Sequence, residues 1–161
     1  MHRTQTFRDV AFNCPLGPDA LLLRAFDGKE ALGRLFEYEV ELLSEQGRID
    51  PRALLGAASA VRLNTGRDSR RWFHGIVTRF RQVRGGGRLH HYRATLRPWL
   101  WLLTRTTDCR IYQELTVPQI IGEVFKTYGF GDVRMHLTHD YAAREYCVQY
   151  RETAFDFLSR L

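Results

Sequence analysis

The 161-residue sequence has no long hydrophobic run and no apolar stretch at its start. A membrane-spanning helix needs about 20 mostly apolar residues in succession, and no segment approaches that length. The chain opens MHRTQTFRDV, which lacks the apolar core of a secretory signal peptide. We therefore expect no stable membrane insertion and no export by the general secretory route.

Cysteine is scarce, and the sequence has no pattern of metal ligands. Cys14, Cys109 and Cys147 lie far apart and form no CxxC pair, which is typical of a chain that lives in a reducing compartment. His90 and His91 are neighbours on a predicted strand, so they point to opposite faces and do not share one ion. The sequence predicts no metal site.

Motifs for nucleotide binding and covalent catalysis are also missing. The chain contains no GxSxG elbow, no Walker A loop and no GxGxxG fingerprint. Residues 85–87 are three glycines, but they join two predicted strands rather than a strand and a helix, which makes them a poor phosphate cradle. We predict no catalytic residue, no cofactor-binding residue, no cofactor and no enzyme activity in this chain.

Positive charge is abundant but uneven. The formal net charge is +6, and the middle of the chain, residues 51–110, is rich in arginine with only Asp68 and Asp108 as acids. Such asymmetry indicates nucleic acid or an acidic protein surface as partner. Nucleic-acid binding also needs exposed aromatic rings, whereas Phe80 and Tyr92 fall on predicted apolar faces. We therefore favour a protein partner and keep a basic nucleic-acid-binding β-domain as an alternative.

The first part of the chain reads as antiparallel β-structure. The clearest strand covers residues 35–43, where Phe36, Tyr38, Val40 and Leu42 alternate with three glutamates. Gly75 predicts a bulge or a close backbone approach within a long strand. Further strands are predicted at 7–12, 20–26, 60–63, 72–83 and 89–96, with a short helix at 51–55. Short strands joined by turns are typical of a barrel or a sandwich.

Two rows of like charge lie on predicted strand faces. The acidic row has carboxylates about 7 Å apart, too far to share one small cation. We predict that one of the two rows contacts a partner subunit. The acidic row is Glu37, Glu39 and Glu41, and the basic row is Arg79, Arg81, Arg93 and Arg97.

The character of the sequence changes near residue 97, after which helices appear. A capping box at Thr116 and Gln119 predicts a helix over 117–128 that ends at Gly129. Thr153 predicts the start of another helix after a turn at 151–152, and no residue that commonly ends a helix follows it. Residues 99–104 read as a buried helix or hinge segment, and strands are predicted at 133–137 and 146–150.

Several segments, taken together, resemble one known family. They are CPLGPDALLLRAFDGKEALGRLFEYEVELLSE, RRWFHGIVTRF, YRATLRPWLWLLTRTTDCRIYQ, VPQIIGEVF and EYCVQYRETAFDFLSRL. In order and content these segments are similar to the N-terminal region of VgrG, the valine-glycine repeat spike protein of bacterial type VI secretion, which is related to the hubs of contractile phage tails.

The resemblance implies a structural protein. It implies barrel-like tube domains, a homotrimer in the full-length protein that docks on the tube protein Hcp and meets baseplate components, and a PAAR tip protein and effectors carried by C-terminal parts that this chain lacks. It also implies residence in the bacterial cytoplasm until the apparatus fires the protein into a neighbouring cell. The hub of a contractile phage tail or related injection particle is the alternative.

Our expectation is therefore a β-rich α+β protein. Residues 1–96 are predicted to form a β-barrel-like tube domain. Residues 97–161 are predicted to begin a second, smaller α+β domain that is cut at its C-terminus.

Overall fold

The computed structural model describes residues 3–66, 69–84 and 88–161. The glycine turn predicted at 85–87 lies outside these residues. The chain divides into two compact units, Met1–Trp99 and Leu100–Leu161. That each unit is a separate domain stays a prediction.

The first unit is a six-stranded antiparallel sheet in the order β1-β4-β5-β6-β3-β2. The strands are β1 Val10–Asn13, β2 Leu22–Lys29, β3 Glu37–Ser44, β4 Ala58–Asn64, β5 Arg70–Arg84 and β6 His90–Arg97. A one-turn 3-10 helix, Pro51–Ala53, lies between β3 and β4 and is capped by Asp50. The sheet curls until its terminal strands approach each other, so the predicted barrel-like fold is confirmed.

Alternation along the strands fills the interior of this barrel. Tyr38, Val40 and Leu42 on β3 are buried, and they face the buried Tyr92 and Leu96 of β6 across the ladder. The predicted inward positions on β3, and that of Tyr92 on β6, are therefore confirmed. Ring packing adds order to the core, since Phe80 stacks on Tyr92 with centroids 5.2 Å apart.

The seam between β1 and β2 is joined by the side chain of Gln5. No ladder pairs these two strands within the described parts of the chain. Instead, the Gln5 amide donates to the carbonyls of Phe12 and Leu21 and accepts from the N–H groups of Phe12 and Leu23. A strand was predicted from residue 7, but a turn closed by Arg8 N–H to the Gln5 carbonyl precedes β1. This turn leaves Gln5 free to enter the seam, where it is 5% exposed.

Gly75 lies where β5 passes close to β6. A Cβ atom built on Gly75 would stand 2.9 Å from the Arg97 carbonyl oxygen and 3.0 Å from Leu96 Cβ. The predicted close backbone approach is therefore confirmed. The irregularities in the β5–β6 pairing lie elsewhere, between Val77 and Arg79 and between Gln82 and Arg84.

Substituting alanine at Gly75 is expected to destabilise the protein by about 1–3 kcal/mol, because backbone and core atoms must move to admit the methyl group. Gly122 is the matched control. It lies in helix α1 (Val117–Thr127), and a Cβ atom there would meet nothing within 4 Å. Because alanine has the higher helix propensity, Gly122→Ala should raise the free energy of unfolding by about 0.5–1 kcal/mol. Urea unfolding of both variants measures the difference. Equal effects would contradict the steric explanation.

The second unit pairs two strands and packs helices against one of their faces. Its elements are β7 Thr107–Leu115, α1 Val117–Thr127, β8 Arg144–Thr153 and α2 Ala154–Arg160. A 3-10 helix, Trp99–Arg105, precedes β7. The predicted helix is therefore present, but of this segment only Leu103 is buried and Leu102 is 38% exposed. The core gathers around Leu103, Tyr112, Ile120, Val124, Cys147, Ala154 and Phe157.

One strand prediction for this unit is wrong, and one strand was not predicted. Residues 133–137 contain no strand, and Leu137 is exposed. The partner of β8 is β7, which was not predicted, because its polar and charged residues hide the alternation around the buried Tyr112.

The predicted helix caps are confirmed. Thr116 accepts a hydrogen bond from Gln119 N–H, while the Gln119 side chain accepts from Thr116 N–H, as a capping box requires. Thr153 accepts from Asp156 N–H and begins α2.

Residues 151–152, predicted as a turn, instead form a bulge within β8. Arg151 has φ +50° and is the extra residue between Tyr150, which pairs with Cys109, and Glu152, which pairs with Asp108. The bulge turns the strand toward α2. The Arg160 side chain of α2 reaches back to Glu152, and this hydrogen bond lowers the pKa of the Glu152 carboxyl.

Candidate interaction surfaces

The predicted acidic row on β3 lies directly beside part of the predicted basic row. The register places Glu39 opposite Thr95 and Glu41 opposite Arg93 on β6. Arg93 Nε donates to Glu41 Oε1 at 3.0 Å, and Arg97 Nε donates to Glu37 Oε2 at 2.8 Å. The two rows thus neutralise each other over much of their length.

These ion pairs affect the carboxylates of the acidic row differently. The hydrogen bond from Arg93 lowers the pKa of the Glu41 carboxyl, and Arg24 lies 3.6 Å from the same group. Glu39 differs from its neighbours because it accepts a neutral hydrogen bond, from Thr95 Oγ1 at 2.5 Å. Its negative charge is therefore not cancelled by an opposite charge.

Arg79 and Arg81 are the two members of the basic row that lie on β5, whereas Arg93 and Arg97 lie on β6. Both arginines of β5 are exposed, and they lie beside Thr95 and Arg93. Neither has an ion-pair partner among the described residues, so these two arginines differ from Arg93 and Arg97. Sequence reasoning found all four, but the distinction between paired and unpaired members needed the strand register.

Asp27 is a charged residue of the same face that sequence reasoning missed. It lies on β2 opposite Glu39, is exposed, and has no ion-pair partner within the described segments. Lys29 follows two residues later on the same strand, opposite Glu37. The predicted strand ended at residue 26, whereas β2 continues to Lys29. Asp27 was therefore not assigned to a face of the sheet.

Metal binding and nucleic-acid binding each need particular side chains. The described residues contain no group of three His, Cys, Asp or Glu side chains that would hold a metal ion. Tyr92 is buried and Phe80 is stacked on it, so these two rings are not available to stack on bases, whereas Trp72 on β5 is 39% exposed. In the described parts of the chain, no helix is long and apolar enough to span a membrane.

The second unit has a bare apolar face that sequence reasoning also missed. Opposite the helices, β7 and β8 bring Ile111 beside Val148, and Tyr146 and Tyr150 lie on the same side. Ile111 is 67%, Tyr146 64% and Tyr150 65% exposed. The signal was present, since Tyr146, Val148 and Tyr150 alternate with the buried Cys147 and Gln149. Such a patch has the composition of protein interfaces.

Comparison with known proteins gives a consistent result. A family model described as phage tail baseplate hub (GPD) matches residues 29–161. The chain is 55% identical over 157 residues to the type VI secretion system spike protein VgrG1a of Pseudomonas aeruginosa, covering 98% of this chain and 24% of that protein. It is 33% identical to the actin cross-linking toxin VgrG1 of Vibrio cholerae, of which it covers 14%. The chain thus spans about a quarter or less of these relatives.

Solved structures with the same fold include a secretion protein and a tail protein. One is the E. coli c3393 protein, described as a component of the type VI secretion system with structural similarity to the T4 bacteriophage tail proteins gp27 and gp5. Its TM-score is 0.81 at 29% identity, covering 93% of this chain and 42% of that chain. The tail protein from Neisseria meningitidis MC58 has a TM-score of 0.62 at 13% identity, covering 93% and 43%, and shows the fold alone.

Proposed function

The chain belongs to the phage tail baseplate hub family, and we propose on that premise that it forms part of the hub of a type VI secretion spike. The observation that carries the proposal is the 55% identity to a spike protein over 98% of this chain. The barrel of the first unit supports it, since a hub needs a rigid structural ring rather than a catalytic site.

The full-length protein has several partners in this proposal. In the full-length protein we propose a homotrimer that docks on the tube protein Hcp and contacts the baseplate, while a PAAR tip and effectors attach to other parts of the full-length chain. The charged face of the first unit, with Glu37, Glu39 and Glu41 beside the arginines of β5 and β6, is proposed as a contact between subunits or with the tube.

A location follows from this assignment. We propose that the protein is made in the bacterial cytoplasm and leaves the cell through the type VI apparatus. Its own role is then mechanical, and any toxin activity of the full-length protein belongs outside these residues. The name of the Vibrio relative fits such a division, because this chain covers only 14% of it.

The hub of a contractile phage tail is the second candidate. The name of the matching family favours it, whereas VgrG1a, at 55% identity, is a spike protein. The two candidates differ in what the cell releases, because a phage tail leaves with DNA-filled particles after lysis and a spike leaves from intact cells.

Deleting the codons for residues 1–161 from the chromosome tests the proposal. We expect Hcp in the culture medium to fall at least tenfold while Hcp inside the cells is unchanged. Reinsertion should restore export, and Gln46→Ala, which changes an exposed side chain, serves as a control that retains export. Undiminished Hcp export would refute the spike function, and loss of DNA-filled particles instead would identify a phage hub.

A further inference from the structure

We propose that the open part of the barrel seam is a binding slot for one extended segment of another protein, which adds as a strand beside β2. The bound segment alternates apolar residues, which face the barrel interior, with polar residues on the outside, and it carries a basic residue next to Asp27. This site goes beyond the proposed hub function, because peptide binding here needs neither a trimer nor the secretion apparatus.

The barrel wall is open along part of β2, because the strand that would close it is short. β1 has four residues and β2 has eight. Gln5 joins the two strands at Leu21 and Leu23, and the Arg8 guanidinium donates to the Leu23 carbonyl. No described residue bonds to the backbone of 24–29 on the side away from β3. These residues therefore form an open strand edge roughly 20 Å long.

An apolar cleft lies behind this edge. Its volume is about 310 Å³, which falls within the range of about 300–1,000 Å³ that is usual for binding pockets. Leu23 and Val61 are buried at its base, whereas Val10, Leu63 and Phe73 are only half-buried. A side chain that enters the cleft removes this apolar surface from water, which favours binding.

A free strand edge beside an apolar cleft fits an extended segment. The main chain of such a segment pairs with the edge, and alternate side chains enter the cleft. Open edges are commonly blocked by bulges, prolines or charges, because they invite pairing. The bulge of β2 lies at Arg24, whereas Ala25 to Lys29 pair regularly with β3. The regular part of the strand is thus the part that stands open.

Charge next to the slot selects the bound segment. Ala25, Asp27 and Lys29 point to the outer face, since each pairs with an outward glutamate of β3. Asp27 has no ion-pair partner among the described residues, and its neighbour Glu39 accepts only a neutral hydrogen bond. On an added strand, the residue opposite Asp27 lies about 5 Å away, where opposite charge stabilises the pair and like charge destabilises it. Lysine or arginine is therefore favoured at that position.

Two short probe peptides test the slot by NMR titration of the whole chain. Both alternate valine with threonine and carry a polyethylene glycol tail for solubility, but one has lysine and the other glutamate at the central outward position. We expect the lysine peptide to shift the amides of residues 24–29 and slow their exchange, with at least fivefold higher affinity than the glutamate peptide. Methylating the peptide nitrogens that face β2 should weaken binding at least tenfold, because strand pairing needs those donors.

Asp27→Lys should reverse the preference between the two peptides. The matched control, Glu45→Lys, reverses an exposed carboxylate just after β3 and should keep the preference of the natural chain. A lysine peptide that leaves residues 24–29 unchanged, or equal binding of both peptides, would overturn the slot. So would protection of these amides that grows with the concentration of the free chain, since a second copy would then be the occupant. Peptide binding and Hcp export are separate measurements, so either result stands without the other.

Discussion

Gln5→Ala is expected to destabilise the first unit by about 3 kcal/mol or more. The substitution removes four hydrogen bonds that join β1 to β2. It leaves backbone groups of Phe12, Leu21 and Leu23 unpaired in a buried seam, and each such group costs about 1–3 kcal/mol. Urea unfolding followed by circular dichroism and tryptophan fluorescence measures the loss.

Gln5→Glu separates hydrogen bonding from lost volume. It keeps the size of the side chain but sets a carboxylate against the carbonyls of Phe12 and Leu21, so its stability should be at least as low as that of Gln5→Ala. Gln46→Ala removes an exposed amide of the same unit and should stay within about 0.5 kcal/mol of the natural protein. If Gln5→Ala were equally harmless, the seam would be held by other contacts.

The contrast between Gln5 and β3 shows what the sequence can predict. The burial of Tyr38, Val40 and Leu42 follows from a period of two, which is a local property of the chain. Gln5 carries no such signal. Its importance arises because β1 and β2, which are consecutive in the chain, lie at opposite ends of the sheet order. Only the curled sheet brings their unpaired edges to the same side chain.

The charged face shows the same limit. The sequence predicted which residues of β3 and β6 point outward, but not that Arg93 would face Glu41. Register across strands depends on turns and bulges, here the irregularities near Leu23 and Val77. The acidic and basic rows, of which one was predicted to contact a partner subunit, are therefore largely paired with each other. The unpaired charges at Asp27, Arg79 and Arg81 emerge only once the register is known.

In the second unit, the helices were predicted better than the sheet. Thr116 and Thr153 act within one helical turn, so their caps follow from neighbouring residues. The strand β7 needed its partner β8 to be recognised, and residues 133–137 look strand-like but find no partner. The apolar face was missed in part for the same reason: the alternation of Tyr146, Val148 and Tyr150 signals its half on β8, but Ile111 joins it only through the pairing of β7 with β8.

Phe157→Ala is expected to destabilise the second unit by about 3–5 kcal/mol. Phe157 is fully buried and stacks on Tyr112 with ring centroids 5.6 Å apart. We propose that residues 1–96 and 97–161 fold as separate domains. The loss should therefore appear as faster amide hydrogen exchange in peptides from the second unit, with exchange in the strands of the barrel unchanged.

Phe155 provides the matched control for this prediction. It lies on the same helix but is only half-buried, so Phe155→Ala should cost about 1–2 kcal/mol, less than the change at Phe157. Exchange that accelerates equally in both units of Phe157→Ala would show a single cooperative unit and refute the two-domain proposal. A confined effect would mean that α2 completes the core of the second domain through Phe157.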